Sequence, residues 1–296
     1  MTTAPRWAVE GRNWPNREHS RFVMSGGLRW HVQEFASQRQ GAPTLLLLHG
    51  TGAATHSWRA LGPRLAEHFS IIAPDLPGHG FTTGRANGGL SMTGMARAVS
   101  GLMQTLAVEP QMIAGHSAGA AIAVRMTVEG LAAPQAIIGL SAALLPFPGL
   151  AAKLFPVLAR ALFVNPIAPH IFARMARTPG ETARFLARST GSQIDAAGIA
   201  CYEALFATSG QCAGALTMMA EWDLAALERK LAQLATPLLL IHGENDAAIP
   251  IANARQAAAI VSDGRLTALP GLGHLAHEEQ PDQVAALIES FWSKRR

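Results

Sequence analysis

The sequence predicts an α/β chain: a mostly parallel central sheet with helices on both faces and an inserted helical cap. Three observations carry that prediction. Short apolar runs at residues 44–48, 112–114, 137–140 and 237–241 show no polar alternation, as strands buried on both faces do. Segments with an apolar stripe at helical spacing separate them, for example residues 92–106 and 284–292. The alternation stops between residues 143 and 223, where strand patterns vanish and Ala, Arg, Phe, Met and Pro dominate. The expected organisation is a core from residues 1–142 and 224–296 with residues 143–223 inserted as a cap.

Taken in order, residues 21–24 and 28–33 alternate around Ser25-Gly26-Gly27 and read as an antiparallel hairpin. Residues 44–48 form a buried strand that ends at His49-Gly50. A helix is expected over residues 58–68 and a strand over residues 70–73. Asp75-Leu76-Pro77-Gly78-His79-Gly80 is a loop. A helix over residues 92–106 leads into the strand at 112–114, and a second helix covers residues 120–126. In the insertion, helical stretches fall at residues 151–164, 169–177, 181–188, 199–208 and 213–221. Strands at 237–241 and 265–269 and a helix at 284–292 close the chain.

Bulk composition narrows the class. The chain has 296 residues, 49% hydrophobic and 15% charged, so it is globular rather than disordered. Its net charge of +4 favours anionic substrates or surfaces. No Lys/Arg run interleaves with aromatics, which argues against nucleic acid. Cys201 and Cys212 sit in no CxxC or zinc spacing, so neither a disulfide framework, a metal nor a cofactor is expected. The first residues carry no apolar signal core, and the expected location is the cytoplasm. Residues 131–152 are uncharged and long enough to span a bilayer. Pro134, Pro146, Pro148, Gly139 and Gly149 make a buried strand followed by a loop the better reading. Residues 153–163 are apolar with two cations and suit peripheral contact with a membrane, or a buried cap helix.

Gly115-His116-Ser117-Ala118-Gly119 is the chain's sharpest chemical signal. A strand precedes it and a helix follows, the geometry that lifts a serine hydroxyl clear of a sheet. A helix-capping serine in a glycine turn would share the pentapeptide. Such a serine needs a base, and the base an orienting acid. Asp246, in the turn after the 237–241 strand, is the best acid, and Glu244 is its rival. His274, in the loop after the last strand, is the best base, and His277 its rival. Thr51, in the glycine-rich loop after the first parallel strand, and Ala118 are placed to donate N–H groups to an oxyanion.

These carriers, His49-Gly50, the 75–80 loop, the Ser117 pentapeptide, Asp246 and Gly273-His274, resemble the α/β-hydrolase superfamily over nearly the whole chain. Serine at the nucleophile position argues against the dehalogenase and epoxide-hydrolase branches, which use Asp. The lone tyrosine, Tyr202, argues again against the epoxide branch, with its cap tyrosines. Residues 13–23, 50–58, 115–121, 214–224 and 273–279 resemble more narrowly the magnesium-chelatase accessory proteins of bacteriochlorophyll biosynthesis (BchO type). That resemblance implies a photosynthetic bacterium and a role near magnesium insertion into protoporphyrin IX, with chelatase subunits as partners. A porphyrin, flat and apolar with two propionates, needs a wide apolar pocket edged with cations. The cap offers Phe155, Phe163, Phe172, Met175 and Phe185, with Arg160, Arg174, Arg177, Arg184 and Arg188. Phe and Met at helical spacing also serve as ordinary core. His116, Trp58, Met218, Met219 and Trp222 are assigned to binding a small apolar or tetrapyrrole substrate. Three functions remain open: a serine hydrolase on such a substrate, a non-catalytic tetrapyrrole-binding protein with a retained triad, and a general carboxylesterase or C–C bond hydrolase.

Overall fold

The computed structural model describes residues 3–146 and 165–295. The residue 151–164 helix, the 153–163 segment, Phe155, Phe163 and Arg160 lie outside the described residues.

The strands are β1 (Ser20–Ser25), β2 (Leu28–Phe35), β3 (Thr44–Leu48), β4 (Ser70–Pro74) and β5 (Thr83–Gly84). After them come β6 (Met112–His116), β7 (Ala136–Leu140), β8 (Leu238–Gly243) and β9 (Gly264–Leu269). They form one sheet in the order β1-β2-β4-β3-β6-β7-β8-β9, with β5 on β2. β2 pairs antiparallel with β1, β4 and β5, and the rest of the sheet is parallel. All the parallel strands therefore end at one edge, where loops from several of them meet.

The leucine run of β3 shows how the sheet is held. Leu45 and Leu47 face a core built with Trp58, Leu61, Leu65, Ile288 and Phe291. Leu46 and Leu48 face the opposite core, with Val99, Ile122 and Leu240. All four leucines are fully buried, each contributing roughly 1.5–3 kcal/mol. The second core rests on α2 (Met92–Thr105), capped by Ser91 Oγ accepting from Gly94 N, and on α3 (Ala118–Val128). The first core is covered by a long C-terminal helix over Pro281–Ser293.

The helix expected over residues 58–68 is only α1 (Leu61–Leu65), preceded by a 3-10 turn over Thr55–Trp58. Gly62 and Pro63 explain this, since proline lacks the N–H that would bond one turn back. Between β7 and β8 run α4 (Ala168–Ala176), α5 (Glu181–Thr190), α6 (Ala196–Phe206) and α7 (Ser209–Ala220). α6 starts ahead of its apolar pattern because Asp195 caps it, accepting from Gly198 N at 2.6 Å. α7 packs backbone to backbone on the 75–80 loop, where a Cβ on Gly214 would run into the Gly78 carbonyl. No helix among the described residues is long and apolar enough to cross a membrane.

Candidate active site

Ser117 sits where β6 turns into α3, at φ 50° and ψ −112°. A side chain other than glycine's in that region is strained, and such strain is held only by tight surroundings. Here the surroundings are backbone. A Cβ on Gly115 would strike Ala120 N, and one on Gly119 would strike the Leu48 carbonyl. Both glycines of the pentapeptide are therefore demanded by close approach. Ser117 N–H donates to Leu140 O at 2.9 Å, and Ser117 O accepts from Ala143 N at 3.1 Å. The turn is pinned to the end of β7.

The loops after β8 and β9 bring Asp246 and His274 together. Asp246 Oδ2 lies 2.7 Å from His274 Nδ1, and Oδ1 accepts from the N–H groups of Ala248 and Ile249, both at 2.8 Å. The carboxylate side chain is fully excluded from solvent. With Nδ1 donating to Asp246, the free imidazole tautomer presents an unprotonated Nε2. Among the described residues neither His274 Nε2 nor Ser117 Oγ has a hydrogen-bond partner, so the two are not bonded to each other. His116, next to Ser117 in the chain, packs on His274. Its ring lies 4.8 Å from the His274 ring and its Nε2 is 3.1 Å from His274 O. Glu244 is exposed and, among the described residues, forms no hydrogen bond or ion pair with His274.

The loop after β3 passes directly against the serine. A Cβ on Gly50 would fall 2.6 Å from His116 Nδ1 and 3.2 Å from Ser117 Cβ. Among the described residues, neither Thr51 N–H nor Ala118 N–H is spent on another group. Ala118 is the first residue of α3, so its N–H is one of the donors a helix start leaves free. The Thr51 hydroxyl donates to Met218 Sδ at 3.4 Å, which brings the cap helix α7 over this loop.

The remaining binding assignments divide. Met218 is buried against Thr51. His116 is buried behind the serine, and burial with the neighbouring His277 and His274 holds its imidazole well below the ordinary range. Trp222 is partly buried against the α2–α3 core, and Met219 is 44% exposed. Trp58 is wholly buried in the core on the other side of the sheet, 5.0 Å from the His277 ring. It reaches the site only through His277, because a 3-10 turn, not a helix, carries it inward.

His277 is also buried, not at the rim. Its Nε2 is 2.8 Å from Ser57 Oγ, and burial lowers its pKa to about 3. Ser57 donates to Glu278 Oε1 at 2.9 Å, Tyr202 donates to the same oxygen at 2.8 Å, and Arg59 bonds Oε2. Burial raises the Glu278 pKa even though Arg59 pulls it the other way. Tyr202, the tyrosine of the cap, is thus committed to Glu278.

Three groups were invisible as site members in the sequence. His242 Nε2 lies 3.2 Å from Asp246 Oδ2 and 2.9 Å from Ile249 O, bracing the acid from below. Its signal was a histidine four residues before the acid at a strand end. Gln211 ties α7 to the loop beside the serine and to the 75–80 loop: its Nε2 donates to Gly52 O at 2.9 Å and its Oε1 accepts from Gly80 N at 2.8 Å. The third group is the segment after α5. Thr190 O accepts from His274 N at 2.8 Å and Ala247 N at 3.3 Å. Ser192 Oγ accepts from Leu275 N at 2.8 Å and donates to Glu279 Oε1 at 2.7 Å. Glu279 in turn accepts from Gly273 N at 2.8 Å. The segment after α5 is therefore wedged between the loops that carry Asp246 and His274. No cluster of His, Cys, Asp and Glu suited to a metal occurs among the described residues.

Comparison with known proteins agrees with this architecture. Residues 45–287 match the alpha/beta hydrolase family. The chain is 37% identical over 276 residues to the magnesium-chelatase 30 kDa subunit of Rhodobacter capsulatus, covering 93% of this chain and 95% of that protein. It is 30% identical over 256 residues to a pimeloyl-[acyl-carrier protein] methyl ester esterase of Aromatoleum aromaticum, covering 83% and 97%. A thermophilic esterase from Thermogutta terrifontis superposes with a TM-score of 0.72 at 20% identity, over 93% of this chain and 98% of that one.

Proposed function

We propose that this chain, which belongs to the alpha/beta hydrolase family, is a serine hydrolase acting on an acyl bond of a tetrapyrrole or a related apolar molecule. The observation that carries the reading is the 2.7 Å pairing of His274 with a solvent-excluded Asp246 beside the strained Ser117 turn. Ser117 Oγ attacks the acyl carbon while His274 Nε2 takes its proton. Asp246, fixed by two backbone N–H groups and braced by His242, holds the ring and stabilises the imidazolium. The carbonyl oxygen becomes an oxyanion facing the unspent N–H groups of Thr51 and Ala118. His274 returns the proton to the leaving group, and the acyl-serine forms. Water then attacks it by the same route, releasing the acid and restoring the serine.

The substrate class rests on similarity. The Rhodobacter relative is named as a magnesium-chelatase subunit, which supports a role beside magnesium insertion, with chelatase subunits as partners. Met218 and Trp222 would supply the apolar contacts. Burial pushes the thiols of Cys201 and Cys212 up to about 12 and about 11, and two unreactive free thiols suit a reducing cytoplasm. A fluorophosphonate probe should label Ser117 and leave Ser117→Ala unlabelled. The relative's name equally favours a second reading, a tetrapyrrole carrier that does no hydrolysis. An unlabelled wild type that binds protoporphyrin IX saturably at micromolar protein would establish the carrier instead. Labelling without any porphyrin response would point to a general esterase.

A further inference from the structure

We propose that the outer face of the cap, residues 165–190, docks on an anionic membrane surface. Two independent features coincide on this stretch. Of the eight large apolar side chains exposed among the described residues, five are here: Ile167, Ile171, Phe172, Met175 and Phe185. The same stretch holds four arginines against one glutamate, three of the chain's four net positive charges.

Their arrangement on α4 separates a docking face from a solvated one. Pro169 and Ala173 turn inward and are buried. Ile167, Ile171 and Met175 follow one another at one-turn spacing and form an exposed apolar stripe. Arg174 and Arg177, with His170, form a parallel polar stripe alongside it, all exposed. A solvated helix has no use for the first stripe, and a core helix would bury it. A helix lying in the plane of a lipid interface uses both: apolar side chains enter the acyl boundary and arginines meet phosphates. Two of the arginines are uncommitted: Arg174 and Arg188 form no ion pair among the described residues, whereas Arg184 pairs with Glu181 and Arg177 donates to Ala207 O. His170, Arg174 and Arg177 border, with Thr3, Ala173 and Ser209, a groove of about 240 Å³ open to solvent.

The placement also suits an apolar substrate drawn from a bilayer. α4 packs on α7, whose Met218 touches Thr51, so the docked face lies one helix layer from the loop beside Ser117. The docking does not depend on the hydrolase reading, because it is tested by binding alone.

The test is flotation of the full-length protein with vesicles of phosphatidylcholine containing about a third phosphatidylglycerol, against pure phosphatidylcholine, at low and high salt. Binding to the anionic vesicles that weakens with salt is expected, since screening shortens the reach of surface charge. Arg174→Gln with Arg188→Gln should lower the partition coefficient about 30-fold, the effect of roughly two surface charges. Ile171→Ser with Met175→Ser should lower it at least about tenfold, while Met24→Ser, more exposed still but on β1, should leave it unchanged. All of these side chains are exposed, so the variants should melt like wild type. Failure of the wild type to float overturns the proposal. So does flotation that neither pair reduces, or self-association through this face without vesicle binding.

Discussion

Ser192→Ala is the sharpest probe of how the cap supports the base. The hydroxyl holds Leu275 N–H at 2.8 Å and Glu279 Oε1 at 2.7 Å. Removing it leaves a buried amide unsatisfied, which costs about 1–3 kcal/mol. It also removes one hydrogen bond to a carboxylate, worth roughly 1.5–3 kcal/mol where nothing replaces it. Glu279 keeps Gly273 N at 2.8 Å and Gln193 N at 3.0 Å, so that second loss is partial. The expected destabilisation is about 2–4 kcal/mol, read as a fall in the urea midpoint at constant slope. The functional effect follows from position. Leu275 is the next residue after His274, and displacing a catalytic group by about an ångström costs on the order of a hundredfold in rate. Fluorophosphonate labelling of Ser117 should therefore slow by roughly 10- to 100-fold under conditions where the variant is fully folded. Glu279→Gln, which keeps the shape and weakens the same clamp, should fall between the two proteins. A destabilisation below about 0.5 kcal/mol would refute the hydrogen-bond argument. Full destabilisation with unchanged labelling would show that the clamp holds the fold and not the base.

Other outcomes are equally measurable. Burial lowers the pKa of His79 and of His277 to about 3, against 6.5 for the ordinary imidazole. Below pH 6.5 the unfolded chain takes up protons that the folded chain refuses, so stability falls as pH falls, down to about pH 3. These two side chains alone should cost about 2–3 kcal/mol between pH 7 and 5.5, and His49, His56, His116 and His242 shift in the same direction. Flat urea midpoints across that range would contradict the buried neutral histidines. Asp75, held at about 2 by the adjacent His31 against the opposing pull of burial, adds a loss only as pH drops through the range between 3.8 and about 2. Gly50→Ala puts a methyl 2.6 Å from His116 Nδ1 and 3.2 Å from Ser117 Cβ. Labelling of Ser117 should drop by about a hundredfold or more, and wild-type labelling by a folded variant would mean the loop is not seated against the serine.

The sequence was most readable where a residue's environment depends on its own segment. The β3 leucines announce burial on both faces because no polar residue interrupts them, and the Ser117 turn announces itself because two glycines are needed within one pentapeptide. Asp246 and His274 could be chosen by chain order and loop position, and those loops do bring the two side chains together. Legibility ends where a partner lies far along the chain. Glu278 and Glu279 look alike as letters. One is buried among Arg59, Ser57 and Tyr202, and the other clamps Ser192 and Gly273 N. Nothing local separates them. Trp58 was unreadable for a related reason: Gly62 and Pro63 shorten the helix after it, and the 3-10 turn points the indole into the core.

These distant contacts bear on how the site could open. A cap swinging as one rigid lid would have to release Thr190 O from His274 N and Ala247 N, and Ser192 from Leu275 N and Glu279. It would also release Gln211 from Gly52, Ala53 and Gly80, and Tyr202 and Asp195 from Glu278 and Arg59. At roughly 0.5–1.5 kcal/mol net for each bond, the swing costs on the order of 5–10 kcal/mol. At about 5 kcal/mol, no more than roughly one molecule in several thousand is open at any moment. Among the bonds lost would be those that seat His274 and the backbone beside Asp246. A wholly opened helical segment would therefore leave the His274 loop without these bonds, so the proposed chemistry at Ser117 calls for the Thr190–Ser192 segment to stay seated. On the proposed function, substrate would pass a helical segment that stays attached there, with Met218 held against the Thr51 loop.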